Sequence, residues 1–227
     1  MSKHPQLSFV RPDALTAEAK ADANPDANPD PTLDTQVRVL IQTPTSRLTE
    51  RYIGRGKLVR ECVDYVCDKL EHDIQITMFN RPCTMARGIG FFSNESAGYT
   101  FSNQIIRAQP LERELSELTD IVNDAYGANF NAVLVNYYEN GSNSLSEHSD
   151  ADAFLGNVGV VAVSFGAERT FRVRDKVSKK IVGNFKTKSS HALHMEGNFQ
   201  KEFKHGIPAE KRIADSRMSF TFRHHTR

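Results

Sequence analysis

Past residue 130 the chain breaks into short alternating segments. They are NAVLVNYY (131–138), VGVVAVSFG (158–166), RTFRVRD (169–175), KIVGNFK (180–186), HALHMEG (191–197) and RMSFTFR (217–223). Each is rich in β-branched or aromatic residues and is bounded by turn residues, which reads as a strand. Many short strands bury their apolar faces together as a sandwich or a barrel. RMSFTFR is the most constraining of them. With a period of two, Arg217, Ser219, Thr221 and Arg223 share one face, and Met218, Phe220 and Phe222 share the other. Burying two guanidinium groups is costly without anionic partners. A guanidinium grips a carboxylate with two parallel hydrogen bonds, so the pair suits a small dicarboxylate. Taken alone, the strand also reads as an exposed amphipathic edge.

Upstream the period changes. Val59, Cys62, Val63, Val66 and Leu70 form one helical stripe, and Leu111, Leu115, Leu118, Val122 and Ala125 form another, which Gly127 can stop. Between them, GIGFFSNESAGYTFSN (88–103) reads as hairpins or loops. QVRVLIQ (36–42) alternates like a first strand. The segment ADANPDANPDP (21–31) repeats Asn-Pro-Asp, a composition that resists regular structure, so residues 1–35 read as a disordered acidic tail. Residues 36–130 then form an N-terminal extension with supporting helices, and residues 131–227 form the strand-rich core.

Composition excludes some classes. No run approaches the roughly 18 apolar residues of a membrane span. The start, MSKHPQLSFVRPD, lacks the apolar stretch of a secretory signal. The expectation is a monomer of the cytoplasm or nucleus with no membrane partner. Net charge is +1. The tail is acidic and the remainder mildly basic, which is compatible with a polyanionic ligand without requiring one. Cys62, Cys67 and Cys83 have neither the even count nor the spacing of a disulfide or zinc framework, and read as reduced structural thiols. Arg172, Arg174, Lys176, Lys179 and Lys180 read either as phosphate contacts or as a solvated face.

The stretch LSEHSDAD (145–152) carries the chemistry. His148 and Asp150 are two residues apart and share a strand face, so an imidazole and a carboxylate converge. Two ligands bind an ion weakly. Two histidines and one carboxylate with open positions suit a non-haem Fe(II) that activates oxygen. Of the other histidines, His4 lies in the tail and His224 and His225 lie at the C-terminal end, where a solvated role is expected. His205, in EFKHGIP before the turn at Gly206 and Pro208, is the best third ligand.

In order, the chain offers Asn136-Tyr137-Tyr138, His148-Ser149-Asp150, His205, and Arg217 through Arg223. This set resembles the AlkB family of Fe(II)- and 2-oxoglutarate-dependent dioxygenases, over roughly residues 75–223. The resemblance implies an α+β fold with a double-stranded β-helix (jelly-roll) core, supporting helices and an N-terminal nucleotide-recognition region. It implies Fe(II) on His148, Asp150 and His205, with 2-oxoglutarate and O2 as cosubstrates. It gives Arg217, helped by Tyr138, to the distal carboxylate of 2-oxoglutarate, and Asn136 and Arg223 to the end that chelates iron. Ser219 stands where the family usually has Asn. YTFS (99–102) resembles the family's nucleotide-recognition segment, with Phe101 as the aromatic that stacks on a flipped base and Tyr99 and Ser102 as substrate contacts. Asp152 matches a carboxylate that faces the base, which favours cationic 1-methyladenine and 3-methylcytosine.

The implied function is oxidative demethylation of alkylated bases in DNA or RNA. Three alternatives stay open: a hydroxylase of protein or small molecules, a nucleic-acid-binding protein without turnover, and an RNA-specific demethylase.

Overall fold

The computed structural model describes residues 36–78, 81–102, 104–150 and 158–225. The acidic tail (1–35) lies outside the described residues. The elements run β1 (Arg38–Gln42), β2 (Ser46–Tyr52), α1 (Gly56–Cys67), β3 (Gln75–Met78), β4 (Arg81–Thr84), β5 (Gly88–Ser93), β6 (Gly98–Phe101), β7 (Gln104–Gln109) and α2 (Arg113–Tyr126). There follow β8 (Ala132–Tyr138), β9 (Leu145–His148), β10 (Val160–Gly166), β11 (Arg169–Asp175), β12 (Ile181–Thr187), β13 (His191–Gly197), α3 (Phe199–Glu202), β14 (Phe203–Ile207) and β15 (Arg217–Arg223).

Among the described residues, a large sheet has the order β1-β2-β13-β10-β15-β8-β5-β7-β6, and a smaller sheet the order β12-β11-β14-β9. β3 and β4 pair as a separate hairpin. Two facing sheets made mostly of antiparallel strands are the jelly-roll arrangement. Strands from both sides of the boundary at residue 130 share the large sheet: β2 pairs with β13, and β5 pairs with β8.

The period of two in β15 sorts its residues onto two faces. Met218, Phe220 and Phe222 pack with Val133, Val135, Val161 and Val163 against Val59, Val63, Leu115 and Leu118 of the two helices. Burying a residue such as Phe220 contributes roughly 1.5–3 kcal/mol. The polar face of β15 points the other way, toward the small sheet. β15 is therefore a central strand between β10 and β8 and not an exposed edge. Between the sheets, Leu193, Met195, Phe171, Val173 and Phe203 form a second apolar cluster.

Helix α2 ends as its sequence suggests. Gly127 adopts φ 58°, the left-handed conformation that glycine takes without a Cβ clash. Just beyond, the Asn123 side chain donates to the Phe130 carbonyl and accepts from the Phe130 N–H, which turns the chain into β8.

Candidate active site

β9 and β14 are antiparallel neighbours, and their register sets His148 opposite His205. The imidazole centroids are 4.5 Å apart. Asp150 follows β9, held where its N–H donates to Gln200 Oε1 of α3 at 3.0 Å. His148 Nε2 lies 4.0 Å from Asp150 Oδ1, and His205 Nε2 lies 3.7 Å from Asp150 Oδ2. One ligand atom from each of the three residues falls within 4.8 Å of the others.

The chemistry of this set fits a metal ion. His148 Nδ1–H donates to the Ser146 carbonyl at 2.9 Å, which leaves Nε2 as the free lone pair. Asp150 Oδ2 is buried and has no hydrogen-bond partner among the described residues, as expected of a carboxylate oxygen kept for an ion. Burial, reinforced by His148, lowers the His205 pKa to about 3, so the ring is neutral and able to ligate. Burial alone would raise the Asp150 pKa. Arg223, His205 and His148 overcome it and hold the group at about 2.

The triad opens on a cavity of about 510 Å³. Inward-facing residues of the large sheet line it: Asn136 and Tyr138 from β8, Ser164 from β10, and Arg217, Ser219 and Arg223 from β15. Arg217 sits opposite Tyr138 in the β15–β8 register, with its guanidinium 5.2 Å from the tyrosine ring centroid. Its Nη2 donates to Ser164 Oγ at 2.9 Å, while Nε and Nη1 have no partner among the described residues. Burial, with Arg169 adding to it, lowers its pKa. A buried cation with two unused donors calls for an anion. Ser219 lies in register with Asn136 on one side and Ser164 on the other.

The wall nearer solvent is aromatic. Tyr99 and Phe101 of β6 stack at 6.1 Å with planes 27° apart, and both line the cavity with Ser102. Phe101 is half-buried and packs, with Tyr99, against the apolar cluster of Ile89, Phe91 and Ile106. Asp152 lies outside the described residues.

Three relationships were not read from the sequence. Arg87 lines the cavity and donates from Nε to Asn136 Oδ1 at 2.7 Å. Its signal was a basic residue just before the segment 88–103. Arg223 pairs with Asp150, as well as lying on the face assigned to cosubstrate. His225, expected in solvent, is 9% exposed, with its ring 5.2 Å from Phe91 and 6.3 Å from Tyr99. The basic residues after residue 170 are partly used inside the protein. Arg174 pairs with Glu147, and Arg172 donates to Asn184 Oδ1.

A family model described as the 2OG-Fe(II) oxygenase superfamily matches residues 69–223, which contain the triad and both arginines. The chain belongs to that superfamily. Members of that superfamily are Fe(II)/2-oxoglutarate-dependent oxygenases with O2 as the other cosubstrate, and relatives of this chain include AlkB homologues. It is 33% identical over 135 residues to human "Alpha-ketoglutarate-dependent dioxygenase alkB homolog 3", a match covering 55% of this chain and 47% of that protein. The chain thus spans about half the length of that relative. It is 28% identical over 176 residues to mouse "DNA oxidative demethylase ALKBH2", covering 70% of this chain and 74% of that one. The solved structure titled "The structure of OsALKBH1" superposes with a TM-score of 0.55 at 17% identity, covering 82% of this chain and all of that one, and shares the fold.

Proposed function

We propose that this dioxygenase oxidatively demethylates N-alkylated bases, such as 1-methyladenine and 3-methylcytosine, in DNA or RNA. The observation that carries the reading is one cavity with three stations: the His148–Asp150–His205 triad, the unpartnered donors of Arg217, and the Tyr99–Phe101 wall.

His148, Asp150 and His205 would hold Fe(II), which with 2-oxoglutarate and O2 supplies the oxidising power for C–H hydroxylation. Arg217 and Tyr138 take the distal carboxylate of 2-oxoglutarate, deep in the cavity. Asn136 and Arg223, the latter paired with Asp150, would contact its chelating end. The aromatic wall offers the flat face that a base taken out of its stack requires. A hydroxylated N-methyl group then leaves as formaldehyde. In the balanced reaction the N–CH3 substrate, 2-oxoglutarate and O2 give the N–H base, formaldehyde, succinate and CO2. Asp152, by its place in the sequence, is assigned to the base.

The relative named as a DNA oxidative demethylase supports a nucleic-acid substrate. The test is formaldehyde release from methylated single- and double-stranded DNA and RNA, with and without 2-oxoglutarate. Succinate formed on a protein or small-molecule substrate, with all four oligonucleotides inert, would transfer the assignment to a hydroxylase.

A further inference from the structure

Arg169 is the largest fully buried side chain among the described residues, at 0% exposure, and it touches neither the triad nor the aromatic wall. It opens β11 in the small sheet. Its guanidinium reaches the connections that follow β8 and β14. Nη1 donates to the Asn140 carbonyl at 3.1 Å, and Nη2 donates to the carbonyls of Gly141, Asn143 and Pro208 at 3.3, 2.8 and 2.9 Å. Nε faces Glu210 Oε2 at 3.4 Å. Every nitrogen of the planar fork is used, which is what a buried guanidinium requires.

The accepting carbonyls belong to two connections that matter. Asn140, Gly141 and Asn143 lie between β8, which ends at Tyr138, and β9, which carries His148. Pro208 follows β14, which carries His205. Gly141 closes the clamp from the other side. Its N–H donates to Ile213, its carbonyl accepts from Glu210, and a Cβ there would lie 2.0 Å from the Glu210 carbonyl oxygen. Only glycine permits that approach. Arg169 also lies 5.7 Å from the centroid of the Tyr138 ring, the same ring that Arg217 faces at 5.2 Å.

We propose that Arg169 is a positioning residue for the cosubstrate: it locks the connections that follow Tyr138 and His205 and so fixes the ring against which Arg217 takes the distal carboxylate. The inference rests on the reading of Arg217 and Tyr138 as the 2-oxoglutarate site. A lysine offers one point charge with no planar fork and cannot hold four carbonyls in three directions. An arginine used only for folding would alter stability and leave cosubstrate affinity alone.

The test measures 2-oxoglutarate binding by calorimetry on the full chain loaded with Mn(II), alongside thermal unfolding. Arg169→Lys and Gly141→Ala are each expected to raise the dissociation constant for 2-oxoglutarate by about tenfold, roughly the loss of one hydrogen bond to a charged group, with a smaller loss of Mn(II) affinity. Glu210→Gln is the milder variant, expected to give a smaller rise in the same direction with the fold intact. Arg217→Lys, measured beside them, tests the underlying site. If it leaves 2-oxoglutarate binding unchanged, the site assignment itself fails. If it weakens binding while folded Arg169→Lys and Glu210→Gln bind like wild type, whatever their melting temperatures, the positioning role is overturned and the site assignment stands.

Discussion

Arg223 Nη2 lies 3.2 Å from Asp150 Oδ1, and the same guanidinium lies over the Tyr99 ring, 5.2 Å from its centroid. The arginine that the sequence assigns to the cosubstrate thus also holds the carboxylate of the candidate metal triad and backs one aromatic of the substrate wall. Both charges are almost fully buried, with side-chain exposures of 4% and 3%.

The first prediction follows from that burial. Removing one member of a buried pair leaves an uncompensated charge, which costs about 3–5 kcal/mol. Arg223→Met is therefore expected to destabilise the metal-free protein strongly. A bound divalent ion supplies a replacement countercharge for Asp150, so Mn(II) should raise the melting temperature more in the variant than in the wild type. Thermal unfolding with and without Mn(II) checks this. Equal metal-induced shifts would show that Arg223 does not balance Asp150.

Arg217 offers a kinetic prediction. A hydrogen bond to a charged group contributes about 1.5–3 kcal/mol, and a lysine cannot present the same set of donors. Arg217→Lys should raise the KM for 2-oxoglutarate by about tenfold or more, with a smaller effect on kcat at saturation. Steady-state kinetics with varied 2-oxoglutarate reads both parameters. An unchanged KM would remove Arg217 from the site.

Phe101→Ala separates substrate binding from oxidant formation. Base stacking on an aromatic contributes about 1–3 kcal/mol. The variant should lose most demethylation of a methylated oligonucleotide while retaining substrate-independent turnover of 2-oxoglutarate. Paired assays of formaldehyde and succinate distinguish this outcome from a general loss, which would point to damage at the metal.

Three buried histidines weaken the fold as the pH drops: His194, His205 and His225, the last lowered by burial and by Arg223 and His224. Burial lowers the pKa of His194, against the pull of the Val158 carbonyl that accepts from its Nε2–H and of Glu196. His205 is lowered to about 3. These rings bind protons less readily in the folded chain than in the unfolded one, whose imidazoles take up protons below about pH 6.5. The unfolded state therefore binds more protons in this range, so stability is complete above it and falls as the pH drops. Denaturant unfolding of the metal-free protein between pH 7 and 5 should show declining stability, and His194→Gln should flatten the decline. A slope that is unchanged in the variant would contradict the His194 contribution.

Much of this was legible in the chain because period-two patterns are local. The polar and apolar faces of β15 follow from alternation alone, whereas Asn136 and Tyr138 came with the family resemblance. The stop at Gly127 follows from the single residue that tolerates a left-handed turn. The triad needed order along the chain as well as spacing, since His-x-Asp by itself is common. Pairings between distant segments left no local trace. Nothing in SRLTERY says that β2 lies beside β13, and nothing around Gly88 says that β5 runs parallel to β7. The same blindness hid Arg169, whose partners are backbone carbonyls, and Arg87, whose partner lies 49 positions away. His225 read as solvated because chain ends usually are, yet the aromatic cluster at Phe91 and Tyr99 buries it.

The central claim is that one cavity joins the triad, the arginine site and the aromatic wall into an oxidative demethylase. The most direct measurement is formaldehyde released from an oligonucleotide carrying 1-methyladenine or 3-methylcytosine, by wild type and by Asp150→Ala. The account predicts release that requires both Fe(II) and 2-oxoglutarate, matches succinate in amount, and vanishes in the variant. Release that persists in Asp150→Ala, or a wild type that consumes 2-oxoglutarate yet leaves every methylated oligonucleotide intact, would contradict it.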